Sequence, residues 1–407
     1  MGVKAHWEPR SRPGRAAAGA LALACCLALA ACGGGRPTGG QAQPTTSTPD
    51  SPATTGTTAT TSAPSTTARA AAAGCRLPSL EFQVSQLLLV GFWGATTTPR
   101  SARLVERDVG GLVLFRRNIR SLPQLRHLLD QLQARADVPL EIAVDEEPGR
   151  VARLAGLIPG APPARELGQL PTSSVYAYGL RIGRGLAGAG ITTDLAPVLD
   201  VTGADRLSVI GDRSFGDDPD TVSRAGIAFE KGLTAGGVST VGKHFPGHGR
   251  TAIDSHRVLP VVDVPVSRLT AWDLRPFARA VDDGLPGVMV GHLLIRRLDP
   301  RLPASLSPAV VGQLLRGQLG FRGLAVTDAL EMGAIQASWD LPTAAELAVR
   351  AGIDQVLISE RDDLVPAVVD RLTGAVEAGR LSRARVREAF LRVERFKGQH
   401  RWDHCAE

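Results

Sequence analysis

The chain is poor in lysine and in aromatic residues. It has 4 lysines against 42 arginines among 407 residues, and its aromatic fraction is 4%. Four bases and one acid within residues 1–15 supply half of the formal net charge of +6, so the remainder is only weakly basic. A nucleic-acid-binding domain needs a clustered basic surface, which this balance does not provide. The composition therefore predicts no nucleic-acid partner, and it makes each lysine a candidate for a specific role.

Several motifs that define metal and nucleotide sites are also missing. No H-x-H follows the first predicted strand, and no H-E-x-x-H lies on a predicted helix. No glycine-rich phosphate fingerprint follows the first predicted strand either, which argues against a dinucleotide-binding open sheet. These absences favour a protein without a metal or an organic cofactor, although the histidines within residues 242–256 keep a zinc site as an alternative.

Residues 1–31 resemble a lipoprotein signal peptide. A basic segment precedes the apolar run 16–31, which is too short to span a bilayer comfortably. The run ends in LAACG (29–33), which is similar to the bacterial lipobox, in which the cysteine is lipidated. We expect an exported protein that is lipid-anchored through Cys32 to the outer face of the cell membrane. An ordinary signal peptide and an uncleaved anchor are the alternatives.

Residues 32–74 are predicted to form the lipidated cysteine and a flexible linker. They consist almost wholly of Gly, Pro, Ser, Thr and Ala and contain no large apolar side chain, so they cannot build a core. Residues 75–407 suffice for one large domain. Cys75 and Cys405 lie near its two ends, and an oxidising compartment would pair them. We expect a Cys75–Cys405 disulfide, with two free thiols as the alternative.

Short apolar runs alternate with helical patterns along this domain. The runs are continuously apolar, as expected for strands of a parallel sheet that is buried on both faces. Eight strands, each followed by a helix, predict an α/β fold, a (β/α)8 TIM-type barrel in a single catalytic domain. A doubly wound open sheet is the alternative. The predicted strands are 87–93, 110–115, 140–147, 192–201, 238–245, 287–295, 323–330 and 353–359.

Polar side chains recur where these predicted strands end. In a barrel the carboxyl ends of the strands converge on one rim, where active sites are built, so the pattern indicates an enzyme. Three candidate residues have structural alternatives: Asp328 as a helix N-cap, Asp145 in a solvated acidic loop, and Arg213, which is not at a strand end, in an ion pair that holds a loop. The residues at the strand ends are Asp145, Asp200, Lys243, His244, His292 and Asp328.

The segment GKHFPGHGRTAIDSH (242–256) contains three histidines. His244, His248 and His256 are possible zinc ligands, although their spacing matches no standard metal motif. The alternative is acid–base chemistry, because Asp254 stands two residues before His256 and could orient its imidazole. The residues alone leave both interpretations open.

Several motifs occur in an order that resembles a known family. KHFPGHG is followed by DSH, with VDEEPGRVAR upstream and VTDALEMGA downstream. Together they resemble the NagZ-like β-N-acetylglucosaminidase branch of glycoside hydrolase family 3. The lipobox and the Thr/Ser/Pro-rich linker are similar to those of its secreted lipoprotein members. The resemblance runs from Leu87 to Gly398.

The resemblance implies a retaining exo-glycosidase on a (β/α)8-type barrel. Asp328 would be the nucleophile that forms a covalent glycosyl-enzyme, and His256, paired with Asp254, would be the acid/base. On this view His248 has no chemical role and shapes the loop. The residues expected to bind the sugar are Asp145, Arg153, Arg213, Lys243 and His244.

The implied substrates are GlcNAc-containing peptidoglycan fragments, in which terminal β-linked GlcNAc is joined to N-acetylmuramic acid. The implied role is cell-wall turnover or recycling by a monomer. Two rivals remain: a metal-dependent hydrolase that uses the histidine cluster, and a barrel that binds wall glycans without catalysis.

Overall fold

The computed structural model describes residues 76–202 and 209–405. The chain divides into two units, Met1–Ser65 and Thr66–Glu407, and all described residues belong to the second. The predicted signal peptide, the lipidation site Cys32, the linker and Cys75 lie outside the described residues, so they stay predictions. Cys405 is buried and disulfide-bonded. Its expected pairing with Cys75 also stays a prediction.

A parallel barrel sheet forms the centre of the described unit. Eight of ten strands build it, in the order β10-β1-β2-β3-β4-β5-β7-β9, with every pairing parallel. The strands are β1 Leu88–Gly91, β2 Gly111–Leu114, β3 Glu141–Val144, β4 Thr193–Asp194, β5 Ser239–Phe245, β6 Val261–Val262, β7 Gly287–Val290, β8 Leu294–Ile295, β9 Leu324–Thr327 and β10 Val356–Ile358.

Hydrogen bonds between β9 and β10 close this sheet into a barrel. Val326 forms a parallel bridge with Gln355, and the Thr327 amide donates to the Gln355 carbonyl at 3.1 Å. The Leu357 amide donates to Thr327 Oγ1 at 3.0 Å. The predicted (β/α)8 architecture is therefore confirmed, and the open doubly wound alternative is wrong.

Each of the eight predicted runs contains one barrel strand. The run 192–201 gives only a two-residue β4, and Pro197 within it has no N–H to donate to a ladder. Pairing resumes beyond the proline, in a bridge between Val198 and Lys243. The predicted run 287–295 was too long, because it contains both β7 and β8. The pairing of β8 with β6 was not predicted.

One apolar side chain from each barrel strand, or directly beside it, points inward and fills the interior. Such a packed layer is usual in barrels of this size, which have no pore. Phe115 and Ala329 pack against this layer, as does Phe396 from the last helix. The layer consists of Leu89, Val113, Ala143, Leu195, Val241, Met289, Val326 and Leu357.

Helices alternate with the strands and contribute to the larger apolar core. Several start at capping residues: Asp218 accepts hydrogen bonds from the Asp220 and Thr221 amides, and Pro219 follows it. None of the helices in the described ranges has the length and apolarity needed to cross a membrane. The α-helices are Leu80–Gln86, Pro99–Val105, Leu122–Gln133, Ala164–Leu167, Thr172–Ala189, Pro219–Ala235, Val266–Ala271, Arg275–Asp282, Gly333–Gln336, Leu341–Ala351, Val365–Glu377 and Arg383–Phe396, and Ala309–Gln318 is π-helical.

A buried carboxylate ties β10 to the surrounding helices. Asp354 is fully buried just before β10 and contacts three guanidinium groups, those of Arg316, Arg385 and Arg392. Its Oδ2 also accepts the Ala325 amide at 3.0 Å. Burial alone would raise the pKa of Asp354, but the three cations outweigh burial and lower it. Asp354 is therefore ionised and electrostatically compensated.

Replacing Asp354 with alanine is expected to lower the free energy of unfolding by about 3–5 kcal/mol, because the buried Arg316 guanidinium loses its carboxylate partner. Arg385 and Arg392 would keep Glu388 as their carboxylate partner. Urea denaturation at pH 7 measures this loss. Since the native pKa is depressed, the advantage of the wild type is present above pH 3.8, the unfolded-state value, and declines as the pH falls below it.

The matched control is Asp363→Ala. Asp363 is 45% exposed and pairs with Arg361 at the surface. Its removal is expected to change the unfolding free energy by about 1 kcal/mol or less. Equal losses in the two variants would contradict the assignment of Asp354 as a buried electrostatic anchor.

Candidate active site

A cavity of about 390 Å³ lies at the carboxyl ends of the barrel strands. Most of the residues singled out from the sequence line it. Asp254 does not line the cavity, but its carboxylate contacts His256, which does. The predicted site residues in the cavity wall are Asp145, Arg153, Arg213, Lys243, His244, His256 and Asp328.

Four charged side chains form a compact ion cluster on one side of the cavity. Lys243 Nζ lies 2.6 Å from Asp145 Oδ1 and 2.7 Å from Glu147 Oε1. Arg213 binds Glu147 with two parallel bonds, Nε to Oε2 at 2.7 Å and Nη2 to Oε1 at 2.6 Å. Two acids and two bases thus compensate one another, as buried charges require.

The cluster holds its carboxylates in the ionised form. Burial alone would raise the pKa of Asp145, but Lys243 and Arg153 outweigh burial and lower it. Burial alone would also raise the pKa of Glu147, but Lys243 and Arg213 outweigh burial and hold that pKa far below its usual range. Burial disfavours the ammonium form of Lys243, yet Asp145 and Glu147 raise its pKa. The cavity wall therefore offers fixed charges to a ligand.

The lysines in the described ranges are either almost fully buried or exposed. The side chain of Lys243 is 2% exposed, and so is that of Lys397, which pairs with Glu394. Lys231 pairs with Asp283 at the surface, and its side chain is 52% exposed. Of the lysines in the described ranges, Lys243 is the one that lines the cavity.

Arg153 lies beside the ion cluster with unused hydrogen-bonding capacity. Its Nη2 is 3.4 Å from Asp145 Oδ2, and the guanidinium lies 5.8 Å from the centre of the Phe115 ring. Its Nε is buried and has no acceptor among the described residues. The Arg153 side chain is 33% exposed in the cavity wall, so its guanidinium can donate to a ligand oxygen there.

The ring of His244 is held in one tautomer by Asp200. His244 Nδ1 donates to Asp200 Oδ2 at 2.7 Å, and Arg213 Nη2 donates to His244 Nε2 at 3.5 Å. Asp200 is fully buried, and its Oδ1 also accepts the amides of His244 and His248, at 3.2 and 2.7 Å. Burial alone would raise the pKa of Asp200, but His244 and His248 lower it.

Asp328 follows β9 and is partly exposed in the wall of the cavity. Its Oδ1 accepts the Ala329 amide at 2.8 Å, while its own amide donates to the Val290 carbonyl at 3.0 Å. Burial alone would raise the pKa of Asp328, but the nearby His292 and His244 rings and the Ala329 amide lower it. Asp328 is therefore an ionised carboxylate, as a nucleophile must be.

His292 lies behind Asp328 and is fully buried. Its Nε2 donates to the Ala329 carbonyl at 2.9 Å, so Nδ1 accepts from Ser305 Oγ at 2.8 Å. Burial lowers the pKa of His292, and the nearby Asp328 carboxylate opposes this shift. His292 supports the turn on which Asp328 stands.

Asp254 and His256 form the pair that their spacing suggested. His256 Nδ1 lies 2.8 Å from Asp254 Oδ1, which also accepts the His256 amide at 3.0 Å. Burial alone would raise the pKa of Asp254, but these hydrogen bonds lower it. With Nδ1 bound to the carboxylate, Nε2 is the nitrogen left to exchange a proton with a ligand.

The histidine segment does not form a metal centre within the described ranges. No three His, Cys, Asp or Glu side chains of residues 76–202 and 209–405 are grouped so that they could hold a metal ion. The rings of His244, His248 and His256 each bond a different neighbour. The metal alternative therefore has no ligand set in this part of the chain.

Two residues of the site were not assigned to it from the sequence. Glu147 belongs to the acidic run after β3, which is typical of a solvated loop, yet it is buried between Lys243 and Arg213. Asp200 was recognised only as a polar strand end. The sequence feature that could have identified Glu147 as a site residue is its position two residues beyond Asp145.

Comparisons with known proteins agree with this geometry. The model of the glycosyl hydrolase family 3 N-terminal domain matches residues 79–396. A beta-hexosaminidase of Alkalilimnicola ehrlichii is 39% identical over 294 residues, which cover 70% of this chain and 84% of the relative. The beta-hexosaminidase LpqI of Mycobacterium tuberculosis is 38% identical over 390 residues, which cover 93% of this chain and 96% of the relative.

Solved structures give the same result. A glycoside hydrolase family 3 beta-N-acetylglucosaminidase from a Paenibacillus species superposes with a TM-score of 0.76 at 37% identity. The superposition covers 81% of this chain and 64% of that one. The family match over most of the described residues, together with an ionised carboxylate and a histidine on one barrel rim, leads to one conclusion: the chain belongs to glycoside hydrolase family 3.

Proposed function

We propose that the protein is a retaining exo-β-N-acetylglucosaminidase that removes terminal β-linked GlcNAc from peptidoglycan fragments. The observation that carries the proposal is the presence of Asp328, His256 and the Lys243 ion cluster in one cavity. The similar beta-hexosaminidases support the choice of an N-acetylated hexosamine as the sugar.

Asp328 and His256 supply the two groups that a double displacement needs, a nucleophile and an acid/base. The ionised Asp328 oxygen attacks the anomeric carbon while the bond to the leaving oxygen breaks, and His256 Nε2 gives that oxygen a proton. In the second step the neutral imidazole takes a proton from water, and the hydroxyl displaces Asp328. Two inversions give net retention. Asp254 Oδ1 accepts from His256 Nδ1 at 2.8 Å, which orients the ring so that Nε2 makes both proton transfers.

The charged wall opposite is suited to bind the sugar hydroxyls. Lys243, Arg153 and Arg213 supply donors, Asp145 supplies an acceptor, and His244 is fixed in one tautomer. Their positions are set before a ligand arrives, which lowers the ordering cost of binding. Charge-assisted hydrogen bonds of this kind are about twice as strong as neutral ones.

The peptidoglycan substrate and the envelope location rest on the N-terminal sequence. A lipidated Cys32 and the linker that follows would place the barrel at the outer face of the membrane, near wall glycans. The match to the LpqI relative, which covers 93% of this chain, supports a similar arrangement of N-terminal segment and barrel in the two proteins. We infer a role in wall turnover or recycling, carried out by a monomer without a metal.

The decisive experiment compares hydrolysis of an aryl β-GlcNAc with that of an aryl β-glucoside by the purified protein, with and without EDTA. We expect a strong preference for the GlcNAc substrate and no loss of activity with EDTA. Inactivation by EDTA would favour the metal-dependent rival. Binding of GlcNAc oligosaccharides without turnover would favour the non-catalytic rival.

Replacing Asp328 with asparagine is expected to abolish hydrolysis of the aryl β-GlcNAc, because an amide cannot form the glycosyl-enzyme. The activity should fall by a factor of about 10³ or more. The surface variant Asp363→Asn should keep full activity. Full activity of the Asp328 variant would refute the mechanism.

Replacing His256 with alanine is expected to depend on the leaving group. Substrates with a poor leaving group need acid assistance, so kcat/KM should fall about 100-fold or more for them. For a dinitrophenyl leaving group, kcat/KM should change little. An equal loss for both classes of substrate would argue against an acid role for His256.

Replacing Glu147 with glutamine is expected to raise KM about tenfold while kcat changes little, since Lys243 and Arg213 would lose the charge that positions them in both the bound and the transition state. Steady-state kinetics with the aryl β-GlcNAc measures this split. Glu388→Gln, on an exposed helix surface, is the matched control. A large fall in kcat at unchanged KM would contradict the binding role.

A further inference from the structure

The Asp254–His256 pair cannot fix its own position. The side chains of His256 and Asp254 are 69% and 40% exposed. Contacts between exposed partners are weak, so this pair does not by itself hold the loop in place. The residue between them behaves differently: Ser255 is only 3% exposed. The anchor of the loop must therefore be sought at Ser255 and in the backbone.

Backbone hydrogen bonds attach this loop to the segment that follows Asp328. The Gly333 amide donates to the His256 carbonyl at 2.9 Å, and the Ala334 amide donates to the Ser255 carbonyl at 3.1 Å. The approach is close, because a Cβ on Gly333 would lie 2.4 Å from the Arg257 carbonyl oxygen. The loop that carries His256 is thus docked beside the carboxylate with which it would cooperate.

A buried side-chain contact provides a second anchor. Ser255 Oγ and His248 Nε2 are hydrogen-bonded at 3.0 Å, and both residues are buried. The other ring nitrogen of His248, Nδ1, is buried and has no partner among the described residues. The single ring hydrogen bond of His248 is therefore the one to Ser255. Because both groups are shielded from water, losing one partner is costly.

Asp200 connects this anchor to the wall that would bind the sugar. One of its oxygens accepts the His248 amide, and the other accepts the His244 ring. We propose that Ser255 and His248 are positioning residues for His256, and that Asp200 fixes this anchor and the sugar-facing His244 as one rigid unit. The proposal rests on the proposed function, in which His256 is the acid/base.

Removing the Ser255 hydroxyl has a specific consequence. The backbone bonds to Gly333 and Ala334 remain, so the barrel and Asp328 are unaffected, but the loop loses its buried side-chain anchor. His256 then occupies its productive position for a smaller fraction of the time. Acid assistance weakens, whereas attack by Asp328 does not.

The test compares Ser255→Ala, Ser255→Thr and Ser305→Ala in the full chain. Substrates are aryl β-GlcNAc compounds with a methoxyphenyl and a dinitrophenyl leaving group. We expect Ser255→Ala to lower kcat/KM about tenfold for the methoxyphenyl substrate and less than about twofold for the dinitrophenyl substrate, a partial loss of general-acid catalysis. Threonine, which keeps the hydroxyl, should restore the wild-type ratio.

Ser305→Ala is the matched control, because it also removes a buried hydroxyl bound to a buried imidazole, here His292. This substitution acts on the side of the cavity that carries Asp328, so it should change kcat/KM by the same factor for both substrates. An equal effect of Ser255→Ala on both substrates, or no effect, would overturn the proposal.

Amide hydrogen exchange gives a readout that does not depend on activity. Ser255→Ala should accelerate exchange in the peptide covering residues 249–259, and Ser305→Ala should not. Unchanged exchange in Ser255→Ala would overturn the positioning role even if the wild type were inactive. Inactivity of the wild type on both substrates would instead refute the proposed glycosidase function, so the two failures are distinguishable.

Discussion

The site depends on the hydrogen bonds that close the barrel between β9 and β10. Thr327 and Gln355 make this contact, which turns an open parallel sheet into a ring. In a parallel sheet Asp145, Lys243 and Asp328 already share the carboxyl edge, because they follow or belong to β3, β5 and β9. Closure bends this edge into a rim, so that the three side chains line one cavity instead of lying along a line.

A second constraint is that the charged groups of the rim must be compensated, because several of them are shielded from water. Lys243, Arg213, Asp145 and Glu147 compensate one another, whereas Asp328 is stabilised by an amide and neighbouring imidazoles. The two arrangements have different uses. Charges that neutralise one another give a rigid binding wall. Asp328 has no lysine or arginine partner among the described residues, which leaves an oxygen free to react.

The sequence predicted the barrel well, because each buried strand is a continuous apolar run and polar residues mark its end. It also predicted the contact between Asp254 and His256, which are local in the chain. It did not predict the burial of Glu147 against Arg213, 66 residues away. Long-range contacts of this kind carry no local signal, and an acidic run after a strand is as typical of a solvated loop.

The shortage of lysine has a practical consequence for handling the protein. In the described ranges, Lys243 and Lys397 are shielded by burial, and only the amine of Lys231 is substantially exposed, on the helix Pro219–Ala235. Within the described ranges, amine-directed coupling would therefore attach a dye, a cross-linker or a solid support to the outer helical layer of the barrel. The rim would stay open, since none of its binding groups offers an accessible primary amine.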